Sequence, residues 1–192
     1  MSVNYLTGEP EDGSTFIGGI SFDGRFVMFS HGSENLLAPG KDTNGEDVFV
    51  RDRLLGVTDR VSVATDGTQA IGSFTEPPWN QCLSSDGRYA LFISSPAECV
   101  RTGRAHGERA IFVRDRTNGD GTGSTSPPTA SAVISSAVSA ASALSGDGRT
   151  AHLHDPGDAN LASTIDNNSI EFDAYVRGLD AADPLGADAL FP

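Results

Sequence analysis

Short apolar runs separated by polar, glycine-containing turns dominate the first third of the chain. Asp23-Gly24 stands between two such runs, and an Asp-Gly pair readily adopts the positive φ angles of a tight hairpin turn. The run that follows, residues 26–29, reads Phe-Val-Met-Phe, so the two faces of a strand would both be apolar. This pattern predicts a strand in a sheet that is covered on both sides.

The stretch from Ile20 to Asp52 recurs along the chain. A shift of 63 residues aligns it without a gap on Leu83–Asp115, and a shift of 124 residues aligns Asp23–Gly45 with Asp147–Ser169. A two-residue insertion then places residues 47–51 (DVFVR) opposite residues 173–177 (DAYVR). Self-similarity with a period near sixty residues indicates an array of similar units.

Each unit is interpreted as four short antiparallel strands. Another apolar run ends each copy, at residues 48–50, 111–113 and 174–176, and the alternating residues 58–64 supply a fourth strand after the first copy. Repeated four-stranded sheets that are buried on both faces are typical of β-propeller blades. The expected strands are 20–22, 25–31, 47–52, 58–64, 81–84, 88–94, 110–115, 149–154 and 173–177.

The sequence therefore predicts an all-β fold, a single partial β-propeller domain over residues 1–192 with about three blades. The blade repeats are expected at 17–64, 81–136 and 143–177, and residues 117–130 have the composition of a linker. A fourth strand of the second blade is expected within Ser131–Ser136. Val3–Leu6 is either the last strand of a preceding blade or an ordinary chain terminus.

Two repeat positions carry large apolar residues in all three copies and are expected to form the core. Phe29, Phe92 and Leu153 share one position, and Phe49, Phe112 and Tyr175 share the other.

The composition excludes several classes of protein. A net charge of -13 argues against nucleic acid as a partner, because phosphates would repel the chain. No apolar run is long enough to span a membrane, and residues 1–16 lack the features of a signal peptide. The two cysteines, Cys82 and Cys99, either pair or remain free, and free thiols are the commoner case.

Three motifs resemble a known family. Ser21–Phe29 (SFDGRFVMF), Asp42–Asp52 (DTNGEDVFVRD) and Arg60–Gly67 (RVSVATDG) are similar to the WD40-like (PD40) repeats of TolB-type β-propellers. The resemblance extends over roughly two-thirds of the chain. It implies a propeller that binds or scaffolds proteins of the cell envelope, in a periplasmic or secreted setting, or that accompanies a hydrolase domain. Fold alone does not decide between these functions.

Oxygen-bearing side chains surround a glycine in the DTNG motif and in its echo in the third copy. Calcium takes six to eight oxygen ligands, and such loops supply them. An Asx-rich turn, whose side chains cap backbone groups, is the favoured alternative, and then no cofactor is expected. The candidate ligands are Asp42, Asn44 and Asp47 in the first copy and Asp166, Asn168 and Asp173 in the third.

Other polar residues offer weaker signals. His152 and His154 would share one strand face and begin a metal site, although a solvent-facing strand is the better interpretation. His31 and His106 are interpreted as isolated loop residues. The third strand of each copy is followed by an arginine: Arg51, Arg114 and Arg177. This repetition predicts a structural ion pair with Asp52 or with a neighbouring blade.

No nucleophile, zinc or phosphate-binding motif occurs, so the chain is not expected to be an enzyme. The leading hypothesis is a non-enzymatic binding or scaffold module for a protein or another cell-envelope ligand. The alternatives are an accessory propeller domain of a larger peptidase or carbohydrate-active hydrolase, and a degenerate fragment without a function of its own.

Three blades cannot close a ring, because propellers close with about four to eight. An open stack would expose an apolar face at each end. We therefore expect a fragment of a larger propeller, or self-association in which two chains share a six-bladed ring. In such a dimer, Val3–Leu6 would complete the third blade of the partner chain.

Overall fold

Eleven short β-strands make up the regular structure of the described part of the chain. The computed structural model describes residues 2–10, 15–41, 45–63, 82–94, 110–116, 130–133, 143–155, 173–178 and 189–190. No helix in these ranges is long and apolar enough to cross a membrane. The strands are β1 (Thr15–Ile20), β2 (Phe26–His31), β3 (Asp47–Asp52), β4 (Val57–Arg60), β5 (Tyr89–Ser94), β6 (Ala110–Asp115), β7 (Ala130–Val133), β8 (Ala143–Leu144), β9 (Thr150–Asp155), β10 (Asp173–Gly178) and β11 (Ala189–Leu190).

The strands pair into three antiparallel sheets in chain order: β1-β2-β3-β4, β5-β6-β7 and β8-β9-β10-β11. Ahead of β5, Leu83 forms a bridge with Ala90, and the amide of Leu91 donates to the carbonyl of Cys82 at 2.8 Å. This segment takes the place of a first strand in the second sheet. Successive four-stranded antiparallel sheets of this kind are propeller blades, and the fold is a partial β-propeller.

The repeat in the sequence is also a repeat in strand register. Phe29 lies directly opposite Phe49, and Phe92 lies opposite Phe112. The two ring pairs stack with centroids 5.8 and 5.6 Å apart, and all four side chains are fully buried. The expected core is thus confirmed at these positions. In the third blade, Leu153 and Tyr175 face each other in β9 and β10, but their side chains lie outside the described residues.

One continuous apolar cluster joins the three blades, because one face of each sheet meets the next sheet. The cluster runs from Met28, Val48 and Val50 in the first blade through Cys82, Ala90, Phe92 and Phe112 in the second to Leu144 and Ala151 in the third. Cys99 lies outside the described residues.

A second, smaller cluster covers the opposite face of the first blade. Leu36, in the loop between β2 and β3, is buried together with Phe29 and Phe49, and Leu37 packs against them. An open stack was expected to leave this apolar face exposed. The loop instead folds back over the two rings.

Backbone hydrogen bonds also join neighbouring blades at one repeat position. The amide of Phe22 donates to the carbonyl of Ser85 at 2.8 Å, and the amide of Ser85 donates to the carbonyl of Gly146 at 2.7 Å. Phe22, Ser85 and Gly146 each precede the Asp-Gly pair of their blade. The blades therefore stack with the same offset at both interfaces.

The first strand begins earlier than expected. β1 spans Thr15–Ile20, whereas a strand was predicted at 20–22, because Ser21 already belongs to the hairpin turn. A bulge interrupts β1 between Ile17 and Gly19. A side chain at Gly19 would lie 3.3 Å from the backbone nitrogens of Cys82 and Leu83, so glycine permits the close approach of the second blade. β4 ends at Arg60, before the predicted limit of 64.

Two expectations about the chain ends are wrong. Val3–Leu6 is not a strand: Val3 makes an isolated bridge to Pro10, and the Asn4 side chain accepts hydrogen bonds from the next turn. The third blade also has its own fourth strand, since β11 pairs with β10. Because this edge is occupied, Val3–Leu6 of a second chain cannot complete the blade there.

Candidate functional site

The proposed calcium ligands fall largely outside the described part of the chain. This applies to Asp42, Asn44, Asp166 and Asn168, and to the side chain of Asp173, which stands in β10. Asp47 is described and is buried; its carboxylate accepts a hydrogen bond from the Ser62 hydroxyl at 2.6 Å and lies 3.5 Å from Arg60. Within the described residues, no group of three His, Cys, Asp or Glu side chains is placed to hold a metal ion. The calcium site stays a prediction.

Calcium binding can be tested by thermal denaturation. If the DTNG loop binds calcium, millimolar calcium raises the melting temperature, and combined Asp42→Ala and Asp47→Ala substitution abolishes the rise. We expect no rise in the parent protein, because the Asp47 carboxylate already binds Ser62 and Arg60. A rise that disappears in the double variant would contradict the Asx-turn interpretation.

One histidine, His31, does not lie in a loop as expected. It ends β2, where it is only 1% exposed. Its Nδ1 accepts a hydrogen bond from the Ser33 amide, while its Nε2 has no hydrogen-bond partner among the described residues. His152 and His154 lie in β9 two positions apart, and His106 is outside the described ranges.

The recurrent arginine makes a contact between blades at Arg114 and a contact within its own blade at Arg51. Arg114 is 1% exposed, and its guanidinium donates to the carbonyls of Val61 and Val63 in the first blade. In the first blade, Arg51 donates to the Thr58 hydroxyl at 2.8 Å. Arg114 thus contacts a neighbouring blade, which was one alternative, but these contacts are hydrogen bonds to carbonyl groups and not the predicted ion pair. Arg177 ends the same run in β10, and its side chain is not described.

A second set of repeated contacts organises each Asp-Gly turn. In the first blade, the Ser21 hydroxyl donates to Asp23 at 2.6 Å and accepts from the Phe26 amide, while Asp23 also accepts from the Arg25 amide. The second and third blades repeat these bonds at Ser84–Asp86 and Ser145–Asp147. The hydroxyl bond holds the pKa of Asp23 and of Asp147 below the ordinary value of 3.8.

An arginine–carboxylate pair closes the hairpins of the first two blades. Arg25 binds Asp52 at 2.6 Å, and Arg88 binds Asp115 at 2.6 Å. The Arg25 guanidinium lowers the pKa of Asp52 from 3.8 to about 2, against the effect of burial, with help from the amides of Leu55 and Leu54. In the third blade, Gly178 stands at the register position of these aspartates.

Asp52→Asn is expected to make the protein less stable near neutral pH but not in strong acid. Because the pKa of Asp52 is lower in the folded chain, the unfolded chain takes up the proton first as the pH falls. The contribution of Asp52 is complete above pH 3.8 and is lost as the pH falls to about 2. The melting temperatures of parent and variant, measured between pH 6 and pH 2, should therefore converge in acid. A constant difference across this range would contradict the assignment.

An aromatic ring from each blade lies on the Asp-Gly turn of the next. The Phe26 ring fills the space beside Gly87, where an added Cβ would lie 2.3 Å from a ring carbon. The guanidinium carbons of Arg25 and Arg116 each lie 4.7 Å from the ring centroid. Arg116 also donates to the carbonyl of Gly87 at 2.5 Å. We call this arrangement, a turn glycine with its arginine, the ring seat.

The next interface repeats the ring and the turn glycine but not the seat arginine, because Leu179 stands at the sequence position of Arg53 and Arg116. The Tyr89 ring lies against Gly148, where an added Cβ would meet a ring carbon at 2.1 Å. Arg88 stacks on this ring at 4.7 Å. Gly87 and Gly148 are both buried, and both have positive φ. Each of the two blade interfaces therefore places one ring against one turn glycine.

The ring seat of the first blade is open. Arg53 donates to the carbonyl of Gly24 at 2.8 Å, as Arg116 does to Gly87. The atoms nearest to a Cβ built on Gly24 are a guanidinium nitrogen of Arg53 at 3.7 Å and Cδ1 of Ile20 at 4.0 Å. Within the described residues, no aromatic ring occupies this seat.

The large apolar side chains that are exposed in the described part of the chain all lie between residues 5 and 57. We call four of them, at the turns of the first blade, the rim patch: Ile20, Phe22, Leu54 and Leu55. Phe22 is 93% exposed, and Leu54 and Leu55 are 74% and 67% exposed. On the same blade, an open cavity of about 520 Å³ lies between residues 3–8, the β2–β3 loop and β4, with Arg51 in its wall, and it reaches Gly56 in the β3–β4 turn.

No protein-family model and no curated protein sequence matches the chain. Solved structures similar to it include a protein assigned as TolB from Agrobacterium tumefaciens, with 16% identity and a TM-score of 0.48, over 92% of this chain and 48% of that one. A tricorn protease matches with 14% identity and a TM-score of 0.48, over 92% and 15%. TolB from Acinetobacter baumannii matches with 17% identity and a TM-score of 0.44, over 98% and 36%.

These neighbours are β-propeller structures. Two of them are TolB structures, the group that the sequence motifs resemble. The chain spans less than half the length of each neighbour. The assignment of the fold rests on the strand pairing within the chain itself.

The open seat and the rim patch were not recognised in the sequence. The alignment of the repeats did contain a signal for both. Phe22 stands where the other copies have Ser85 and Gly146, and Arg53 stands where the second copy has Arg116.

Proposed function

We propose that this chain is a non-enzymatic binding and scaffold module that docks a protein partner at the turns of its first blade. The rim patch carries the proposal. A single exposed apolar residue is normal in a soluble protein, whereas a contiguous patch indicates an interaction site.

Contacts between the two turns make the rim patch continuous. The Arg25–Asp52 pair ties the β1–β2 turn to the β3–β4 turn, and the amide of Arg53 donates to the carbonyl of Arg25 at 2.9 Å. Asp52 also accepts from the amides of Leu54 and Leu55, which fixes the direction of their backbone. The exposed side chains are therefore carried by two turns that are bonded to each other.

The repeats provide an internal comparison. At the positions of Phe22, Leu54 and Leu55, the second copy has Ser85, Thr117 and Asn118. The same fold thus tolerates polar residues at all three positions. Since folding does not require an apolar rim, binding is the better explanation for it.

The polar groups of the first blade support a structural rather than a catalytic role. The carboxylates of Asp23 and Asp52, whose pKa values are lowered, are engaged by Ser21 and Arg25 in the hairpin turns. The buried Asp47 is engaged by Ser62 and Arg60.

The proposal is tested with the triple variant Phe22→Ser, Leu54→Thr and Leu55→Asn, which copies the rim of the second blade. Immobilised parent and variant are compared for the proteins that they retain from a cell-envelope extract. Leu6→Ser is the matched control, because Leu6 is 74% exposed like Leu54 but lies in the N-terminal segment. We expect partners that the parent and the control retain and that the triple variant loses. Equal retention by all three proteins would show that the rim patch does not bind.

A further inference from the structure

We infer that the open ring seat at Gly24 and Arg53 is a docking socket for a Phe or Tyr side chain on a blade of a partner polypeptide. The inference rests on the proposed function, since it concerns what docks on the first blade. It adds the chemistry of the partner: an aromatic residue that directly follows an Asp-Gly-Arg turn.

The two occupied interfaces define what a seat accepts. In both, the ring comes from the residue after the turn arginine, namely Phe26 or Tyr89, and it lies where the glycine has no side chain. At the seat that holds Phe26, the ring is also held between two guanidinium groups. Cations attract the faces of aromatic rings.

The open seat has the same parts already in position. Gly24 has a φ of +71°, against +72° for Gly87. The Arg53 guanidinium is oriented by the Gly24 carbonyl, as that of Arg116 is by Gly87. Gly24 is only half-buried, whereas its two counterparts are buried. The seat therefore needs no rearrangement to accept a ring, and it is accessible.

A second copy of this chain is not the natural occupant. In a head-to-tail pair, the third blade of one copy would face the first blade of the other. At the position of Phe26 and Tyr89 that blade has Thr150, which pairs with Gly178 as Phe26 pairs with Asp52. Threonine offers no ring, so the third blade of a second copy does not supply the aromatic side chain.

The threonine at position 150 allows the inference to be tested by substitution. Thr150→Phe places a ring after Asp147-Gly148-Arg149 and makes the chain a donor for its own open seat. We expect Thr150→Phe and Thr150→Tyr to self-associate about tenfold more tightly than the parent, as measured by sedimentation equilibrium or light scattering. Thr150→Leu, which adds apolar bulk without a ring, should remain close to the parent.

The seat itself is tested in the Thr150→Phe background. Arg53 is an exposed side chain, and Arg53→Ala removes the guanidinium group that would stack on the ring. The association constant should therefore return to that of the parent. Equal association of the parent, Thr150→Phe and Thr150→Tyr would overturn the inference, as would Arg53→Ala without effect. Melting temperatures confirm that each variant is folded. If Thr150→Phe does not fold, Thr150→Tyr is used in its place.

The outcomes separate this inference from the proposed function. If the triple rim variant loses its partners while Thr150→Phe does not associate, the binding function stands and the aromatic seat is wrong. If Thr150→Phe associates through Arg53 while the rim variant retains all partners, the seat stands and the rim patch is not the docking surface.

Discussion

Phe92→Ala is expected to lower the free energy of unfolding by about 3–5 kcal/mol. Phe92 is fully buried, stacks on Phe112 at 5.6 Å, and belongs to the cluster that joins all three blades. Truncation removes the ring from both contacts. Because sheets surround the ring on two sides, the cavity can collapse only in part. Denaturation by urea, followed by circular dichroism, measures the loss.

Two further variants provide comparisons for this result. Phe22→Ala, at 93% exposure, should change stability by no more than about 0.5 kcal/mol. Phe29→Ala should fall towards the lower end of the range for Phe92, because Phe29 is covered by the loop carrying Leu36, which can settle into the space. A loss below about 1 kcal/mol for Phe92→Ala would mean that the second sheet is wrongly placed between its neighbours.

Gly87→Ala is expected to destabilise the protein far more than Gly24→Ala. Both glycines have nearly the same φ, +72° and +71°, so both variants carry the same backbone strain of about 1–2 kcal/mol. Only at Gly87 would the new methyl group lie 2.3 Å from the Phe26 ring. Overpacking of this kind costs about 1–3 kcal/mol more. The difference between the two variants isolates the contact between the blades.

A double variant confirms the origin of the effect. With Phe26→Ala in the background, the added cost of Gly87→Ala should fall towards that of Gly24→Ala without reaching it, because the ring carbons at 2.3 and 2.6 Å are gone while the Cβ of residue 26 stays 2.9 Å away. Equal effects of Gly87→Ala and Gly24→Ala in the parent protein would contradict the ring-seat geometry. So would an unchanged cost of Gly87→Ala in the absence of the ring.

The two ends of the blade stack are not equivalent. The first blade has a complete seat, with Gly24 and Arg53, and none of the described residues places a ring upon it. The third blade has Thr150 where a ring would stand and Gly178 where the other blades have an aspartate. The two ends therefore present different groups at this repeat position.

The candidate site was only partly predictable. Repetition of the arginines after the third strands pointed to contacts between blades, and Arg114 makes them. It did not reveal that the acceptors are carbonyl groups, because a sequence shows charges but not the backbone of a distant strand. His31 was interpreted as a loop residue although the expected strand 25–31 reaches it, and pairing with Asp47 places it at the end of β2.

The sequence by itself determined the blade. The Asp-Gly pairs, the apolar runs on both strand faces and the period near sixty residues predict strands, turns and core, since each depends on local propensity and on alternation along one strand. Only the tertiary structure decided what lies between and outside the blades. The β2–β3 loop closes over Phe29 and Phe49, β11 completes the third blade, and the rings of Phe26 and Tyr89 meet glycines in the next blade. These contacts join residues far apart in the chain, and no local pattern encodes which surfaces will meet.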